Sequence, residues 1–214
     1  MNNLEILEKI SQKINMKVEL SNGFMYPKES SEPLSQDLID YILSENFDFF
    51  TFQTQNCIPM AGSYNHTKII RQLDGILWQQ LNHSQYIHYV ESIIIETNLL
   101  FKSFRVPDLV VTLLSEEDLS ARSILKNPHT IIEVLSPSTE KKDRKEKKKE
   151  YMSIDSLQEY ILIAQNGYKI EQLIRKNKTS WIMKVYDSQE QTCILTVGVK
   201  IKLNELYKNV NWVK

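Results

Sequence analysis

The chain predicts an α/β fold, a central mixed β-sheet flanked by helices with a β-hairpin toward the C-terminus, on three observations. Residues 130–135 are almost continuously aliphatic and β-branched, as a strand buried on both faces must be. A charged helical stretch and a second apolar strand, 159–164, follow; strand, helix and strand in that order imply a parallel pair joined by a crossover helix. Ahead of them, Ile69, Ile70, Leu73, Ile76, Leu77 and Leu81 recur at the spacing of an amphipathic helix.

The elements read in order as follows. Leu4, Leu7, Ile10 and Ile14 predict a short helix, and Asn22-Gly23 a turn between two short strands. A loop over 27–33 leads to a helix over 34–43, and Phe47, Phe49, Phe50 and Phe52 suggest a strand. The amphipathic helix starts near Asn65. A strand is predicted over 86–96, a turn over 98–103, a second strand over 106–114 and a polar connection up to Pro128. After the 130–135 strand, Ser136-Pro137-Ser138-Thr139 starts a helix reaching about 154: serine suits a cap and proline the first turn. Residues 168–174 and 181–186 flank Lys176-Asn177-Lys178-Thr179 as a hairpin, Val197 to Leu203 alternate as a last strand, and 203–207 make a final helical turn. Residues 1–57 read as an N-terminal cap and 58–214 as the main domain.

The 214 residues can bury one substantial core, and 42% hydrophobic with 25% charged residues is ordinary globular composition. Lys and Arg number 26 against 27 Asp and Glu, so a polyanionic partner would need a local basic face. Cys57 and Cys193, far apart, offer neither a disulfide framework nor a cysteine zinc site. With no signal-peptide pattern and no apolar run of membrane-spanning length, a cytoplasmic protein is expected. Phosphate-loop, serine-hydrolase and zincin motifs are absent from the sequence.

Chemistry concentrates in two acids and a lysine. Asp108 follows Pro107 at the mouth of a strand, where a carboxylate can face a cavity. Glu133 shares side-chain parity with Ile131 and Leu135, so it projects among core residues. A carboxylate is costly there unless a cation or hydrogen bonds compensate it. If the strands align, Asp108 and Glu133 converge; two convergent carboxylates repel unless a cation lies between them, and oxygen donors suit Mg²⁺ or Mn²⁺. Thr139, Asp143, Lys147 and Tyr151, four residues apart, form a polar stripe on the following helix, and Lys147 on it can reach back toward Glu133. His66, in the first turn of its helix, and Gln165, at a strand end, are candidate supporting residues. Structural alternatives stand beside each: a turn-forming aspartate, a buried ion-pair glutamate, a solvated lysine face and a loop-bonding histidine.

These residues resemble a known group. Met60-Ala61-Gly62-Ser63, His66, Pro107-Asp108, the run from Glu133 to Thr139, Asp143-Arg144, Glu146-Lys147, Tyr151 and Leu157-Gln158-Glu159-Tyr160 are similar to the Uma-type family of bacterial restriction-endonuclease-like proteins, within the PD-(D/E)xK phosphodiesterase superfamily. Glu19-Leu20 with Gly23 resembles that family's opening strand. The resemblance implies a restriction-endonuclease-like core, Asp108 and Glu133 (with Val134 beside them) as metal ligands, and Lys147 as the catalytic lysine. The superfamily's lysine, two residues after the acid, is Leu135 here. The activity implied is Mg²⁺-dependent endonuclease cleavage of DNA; the alternative is a non-cutting nucleic-acid-binding or mobile-element-associated module of the same fold. A homodimer is left open.

Overall fold

The computed structural model describes residues 3–14, 17–21, 24–28, 33–44, 63–98, 102–116, 124–137 and 139–212. The expected strand around Phe47–Phe52 and the Met60-Ala61-Gly62 segment lie outside them. Helix α1 (Asn3–Lys13) buries Leu7 and Ile10 and is followed by an antiparallel pair, β1 (Val18–Ser21) and β2 (Phe24–Pro27), in which Ser21 faces Phe24 across the Asn22-Gly23 connection. In α2 (Gln36–Leu43), Ser35 accepts a capping hydrogen bond from Leu38 N. The long amphipathic helix is α3 (Tyr64–Gln80), capped by Ser63.

Strand order departs from the expectation in its middle third. The single strand expected over 86–96 is two, β3 (Tyr86–Val90) and β4 (Ile94–Asn98), which belong to different sheets. Between them Glu91 takes a left-handed conformation (φ 46°). The stretch 98–103, expected as a turn, contains the start of β5 (Lys102–Arg105), which the polar side chains of Lys102, Ser103 and Arg105 had hidden. Then come β6 (Leu109–Leu113), the short β7 (Ile124–Leu125), β8 (Thr130–Leu135) and β9 (Glu159–Ala164). The hairpin forms as β10 (Ile170–Arg175) and β11 (Trp181–Tyr186). The expected strand 197–203 is β13 (Lys200–Lys202), paired with β12 (Thr192–Ile194); Gly198, at φ 87°, makes the turn between them, and the short helix α5 (Leu203–Leu206) follows β13 directly.

Instead of one central sheet, two mixed sheets share the molecule. Among the described residues one runs β2-β1-β5-β4-β7 and the other β11-β10-β9-β8-β6-β3. The β8–β9 pair is parallel, as the crossover required, and β6 runs antiparallel to β8. One face of β8 sends Ile132 and Val134 into a core with Ile69, Leu73 and Leu77 of α3; the other sends Ile131 and Leu135 into a core with Ile95 of β4, Tyr151 and Tyr160. The crossover helix, α4, spans 140–152 without a break, and its middle, Asp143–Lys147, is wound as a π-turn in which Lys148 N–H reaches Asp143 O.

Candidate active site

The site lies where the chain changes sheets. β5 ends at Arg105 and β6 begins at Leu109, so Val106-Pro107-Asp108 carries the backbone from one sheet to the other. The β6–β8 register pairs Leu109 with Ile132, which sets Asp108 level with Glu133. Val134, expected as a ligand, meets the site through its backbone: its N–H donates to Asp108 Oδ2 at 2.7 Å. His66 Nε2, from the first turn of α3, stands 3.3 Å from the same oxygen, and Lys28 Nζ stands 2.9 Å from Asp108 Oδ1. Burial opposes the charged form of Asp108. Lys28 and His66 outweigh it and hold the carboxyl far below the usual range.

Glu133 is buried on the α4 side of β8. Its Oε1 accepts from Tyr151 OH at 3.0 Å and from Lys147 Nζ at 3.2 Å. Burial, with Asp108 and Asp143 adding repulsion, pushes its carboxyl up to about 8 despite Lys147 and Lys28. Lys147 is itself buried, 3.1 Å from Asp143 Oδ1 and 3.6 Å from Glu19 Oε1. Those three acids overcome its desolvation and raise it well above the ordinary lysine value, so it is a fixed ammonium and not a proton acceptor. Lys145 and Lys149, its neighbours two positions away, are exposed. Asp143 is oriented by Thr139 Oγ1, which donates to it at 2.8 Å and stands 2.8 Å from Ser136 Oγ. Gln165 is placed differently: its side chain bonds Ser63 at the cap of α3, so it braces the turn that carries His66.

Residues 54–204 match the Uma2 family, whose description is "putative restriction endonuclease". The chain belongs to the Uma2 family. Two uncharacterized proteins of Synechocystis are similar to it: one is 25% identical over 109 residues, covering 51% of this chain and 57% of the relative; the other is 32% identical over 133 residues, covering 59% and 72%. A crystal structure from Anabaena variabilis, titled a putative nuclease of the DUF820 group, superposes with a TM-score of 0.62 over 90% of each chain at 14% identity, which shows a shared fold.

Around the Uma2 acids lies a second tier that sequence reading did not place in the site. Glu19 of β1 is buried, accepts Val106 N–H at 3.1 Å, and pairs with Arg105 at 3.3 Å. Its burial favours the neutral acid, but Lys147, Arg105 and Lys142 together bring it down to about 2. Arg105 is fully buried and grips Glu150 of α4 in a fork at 2.7 and 2.8 Å. Lys142, whose Nζ lies 3.6 Å over the Tyr26 ring, is lowered to about 8 by burial and by Arg105 and Lys147. The signal for Glu19 was available, an acid between Val18 and Leu20 in a strand, as was one for Arg105, a cation between Phe104 and Val106; Lys28, in the polar loop read over 27–33, carried none.

Donor chemistry decides whether a divalent cation suits these residues. Among the described residues no three His, Cys, Asp or Glu side chains gather into a cage. Asp108, just before β6, and Glu133, on β8, instead offer two hard oxygen donors, the partial ligand set typical of Mg²⁺, whose remaining positions go to water and substrate phosphate. Burial, more than any neighbour, keeps the Glu133 carboxyl high, and a divalent cation beside it would favour its ionised form. The residues fit.

Proposed function

We propose that this protein is a metal-dependent endonuclease that hydrolyses phosphodiester bonds of DNA, with Asp108 and Glu133 holding Mg²⁺ or Mn²⁺ and Lys147 as the catalytic lysine. The observation that carries the reading is the alignment of Asp108, just before β6, with Glu133 on β8, and the Lys147 ammonium 3.2 Å from Glu133. Family membership supports it independently.

The metal, when bound, would polarise the scissile phosphate and lower the pKa of attacking water. The protein's own groups do the rest. Lys28 and His66 overcome burial and keep Asp108 ionised, the form in which a carboxylate can hold a metal. Lys147, pinned by Asp143, Glu133 and Glu19, presents a fixed positive charge beside the acids, where negative charge grows on a phosphorane-like transition state. Tyr151 OH fixes the rotamer of Glu133. Lys141, Lys145 and Lys149 are exposed on α4 and supply the local basic face that a near-neutral chain needs to hold a polyanion.

The test is cleavage of supercoiled plasmid and of single- and double-stranded oligonucleotides in Mg²⁺, Mn²⁺ or chelator, with Asp108→Ala as control. Metal-dependent nicking lost in the variant is expected. Binding of DNA without cleavage in either metal would assign the non-cutting module instead.

A further inference from the structure

Lys28 lies outside the residues that match the Uma2 family, and among the described residues it is the cation nearest to Asp108. Its backbone is fixed: it follows β2, and its N–H donates to Lys17 O at 2.7 Å across the hairpin. Its side chain is 8% exposed and has two seats. One is buried Asp108, at 2.9 Å; the other is Glu91 Oε1, at 3.1 Å, whose side chain is 47% exposed. Glu91 is tied to the same place by its own N–H, which donates to Asp108 O at 2.9 Å, and by its φ of 46°, which a glutamate adopts only at a cost. The turn between β3 and β4 thus spends backbone strain to hold a second carboxylate beside Lys28.

We propose that Lys28 is a built-in counter-cation for Asp108 that competes with the divalent metal, and that Glu91 is the outer seat to which its ammonium withdraws when metal binds. This rests on the reading of Asp108 as a metal ligand. An ammonium and a divalent cation cannot share one buried carboxylate without strong repulsion, because each screens little of the other in a low-dielectric site. Without metal, Lys28 spares the buried Asp108 the cost of an uncompensated charge. With metal, Glu91 keeps the displaced ammonium paired at the surface. Lys28 is therefore a positioning residue that sets metal affinity.

Calorimetric titration of Mg²⁺ and Mn²⁺ into wild type, Lys28→Met, Glu91→Gln and the double variant tests this without substrate. Lys28→Met should bind metal at least about tenfold more tightly, because the competitor is gone. Glu91→Gln should weaken binding several-fold, and should have no further effect once Lys28 is methionine; this loss of additivity separates the proposed role from a simple charge effect. If Lys28→Met does not fold, Glu91→Gln, altering a half-exposed side chain, decides alone: unchanged affinity overturns the proposal. Equal or weaker binding in folded Lys28→Met overturns it too and leaves the nuclease reading standing. Absence of metal binding in every folded variant overturns both.

Discussion

Glu19 and Glu133 both lie within salt-bridge reach of Lys147, both are buried, and their environments drive them in opposite directions. Glu19 has two further cations and a backbone donor and falls to about 2; Glu133 faces Asp108 and Asp143 and rises to about 8. Another buried glutamate, Glu159, is satisfied locally by Gln172, Thr130 and Thr196 with no cation paired to it among the described residues, the pattern of a structural carboxyl. Linkage makes the difference measurable. The unfolded Glu133 titrates near 4.5, so between about 4.5 and 8 the folded state holds a proton that the unfolded state has lost. Its contribution to stability is complete below about pH 4.5 and is lost as pH rises through 8. Glu19 contributes in the reverse sense, above about 4.5, and its share is lost as pH falls through 2. In chelator, Glu133→Gln should therefore gain melting temperature relative to wild type on going from pH 5 to pH 9, while abolishing cleavage in metal. A melting difference flat across that range would place Glu133 in a different charge state.

At the scale of the element, α4 converts a run of six lysines into one chemical group and a basic face. Asp143, Lys147 and Tyr151 share its buried side, as four-residue spacing foretold, although the π-turn Asp143–Lys147 departs from the ideal helix on which that expectation rested. Lys147→Met, which keeps the stem and removes the charge, should lower the single-turnover cleavage rate about a hundredfold. It should also destabilise the protein by about 3–5 kcal/mol, since Asp143, Glu133 and Glu19 lose a shared buried cation. Lys145→Ala and Lys149→Ala should leave the rate at saturating DNA unchanged and reduce the salt dependence of binding. Equal effects of all three on the saturated rate would reduce α4 to a basic patch.

For the whole molecule, the decisive feature is that the first 28 residues complete the site. β1 pairs with β5, Glu19 of β1 holds Arg105 and Lys147, and Lys28 holds Asp108. The segment that reads as a cap is thus stitched into the second sheet. Deleting residues 1–57 should leave β5 with a bare edge and Arg105 and Lys147 short of a carboxylate. The truncated chain is expected to lose cooperative unfolding by circular dichroism. A truncated protein that melts cooperatively and still cuts DNA would show that the cap is dispensable.

The sequence alone determined the parts that depend on local pattern: the helix over 64–80, the buried parallel pair around a crossover helix, the hairpin, and the acids and lysine that stand out because charge is costly in an apolar run. It also carried enough motif to name the family. Only the tertiary structure decided what depends on distant pairing. Residues 86–96 split between two sheets because Glu91 turns the chain, a choice that neither β-propensity nor alternation records. Glu19 and Glu150 meet on Arg105 because β1, β5 and α4 come together there, and Lys28, just after β2, is brought to Asp108 from far away in sequence. Charge pairing of that range leaves no periodic trace in a single chain: even where a charged residue stands out locally, as Glu19 does between Val18 and Leu20, nothing in the sequence names its partner.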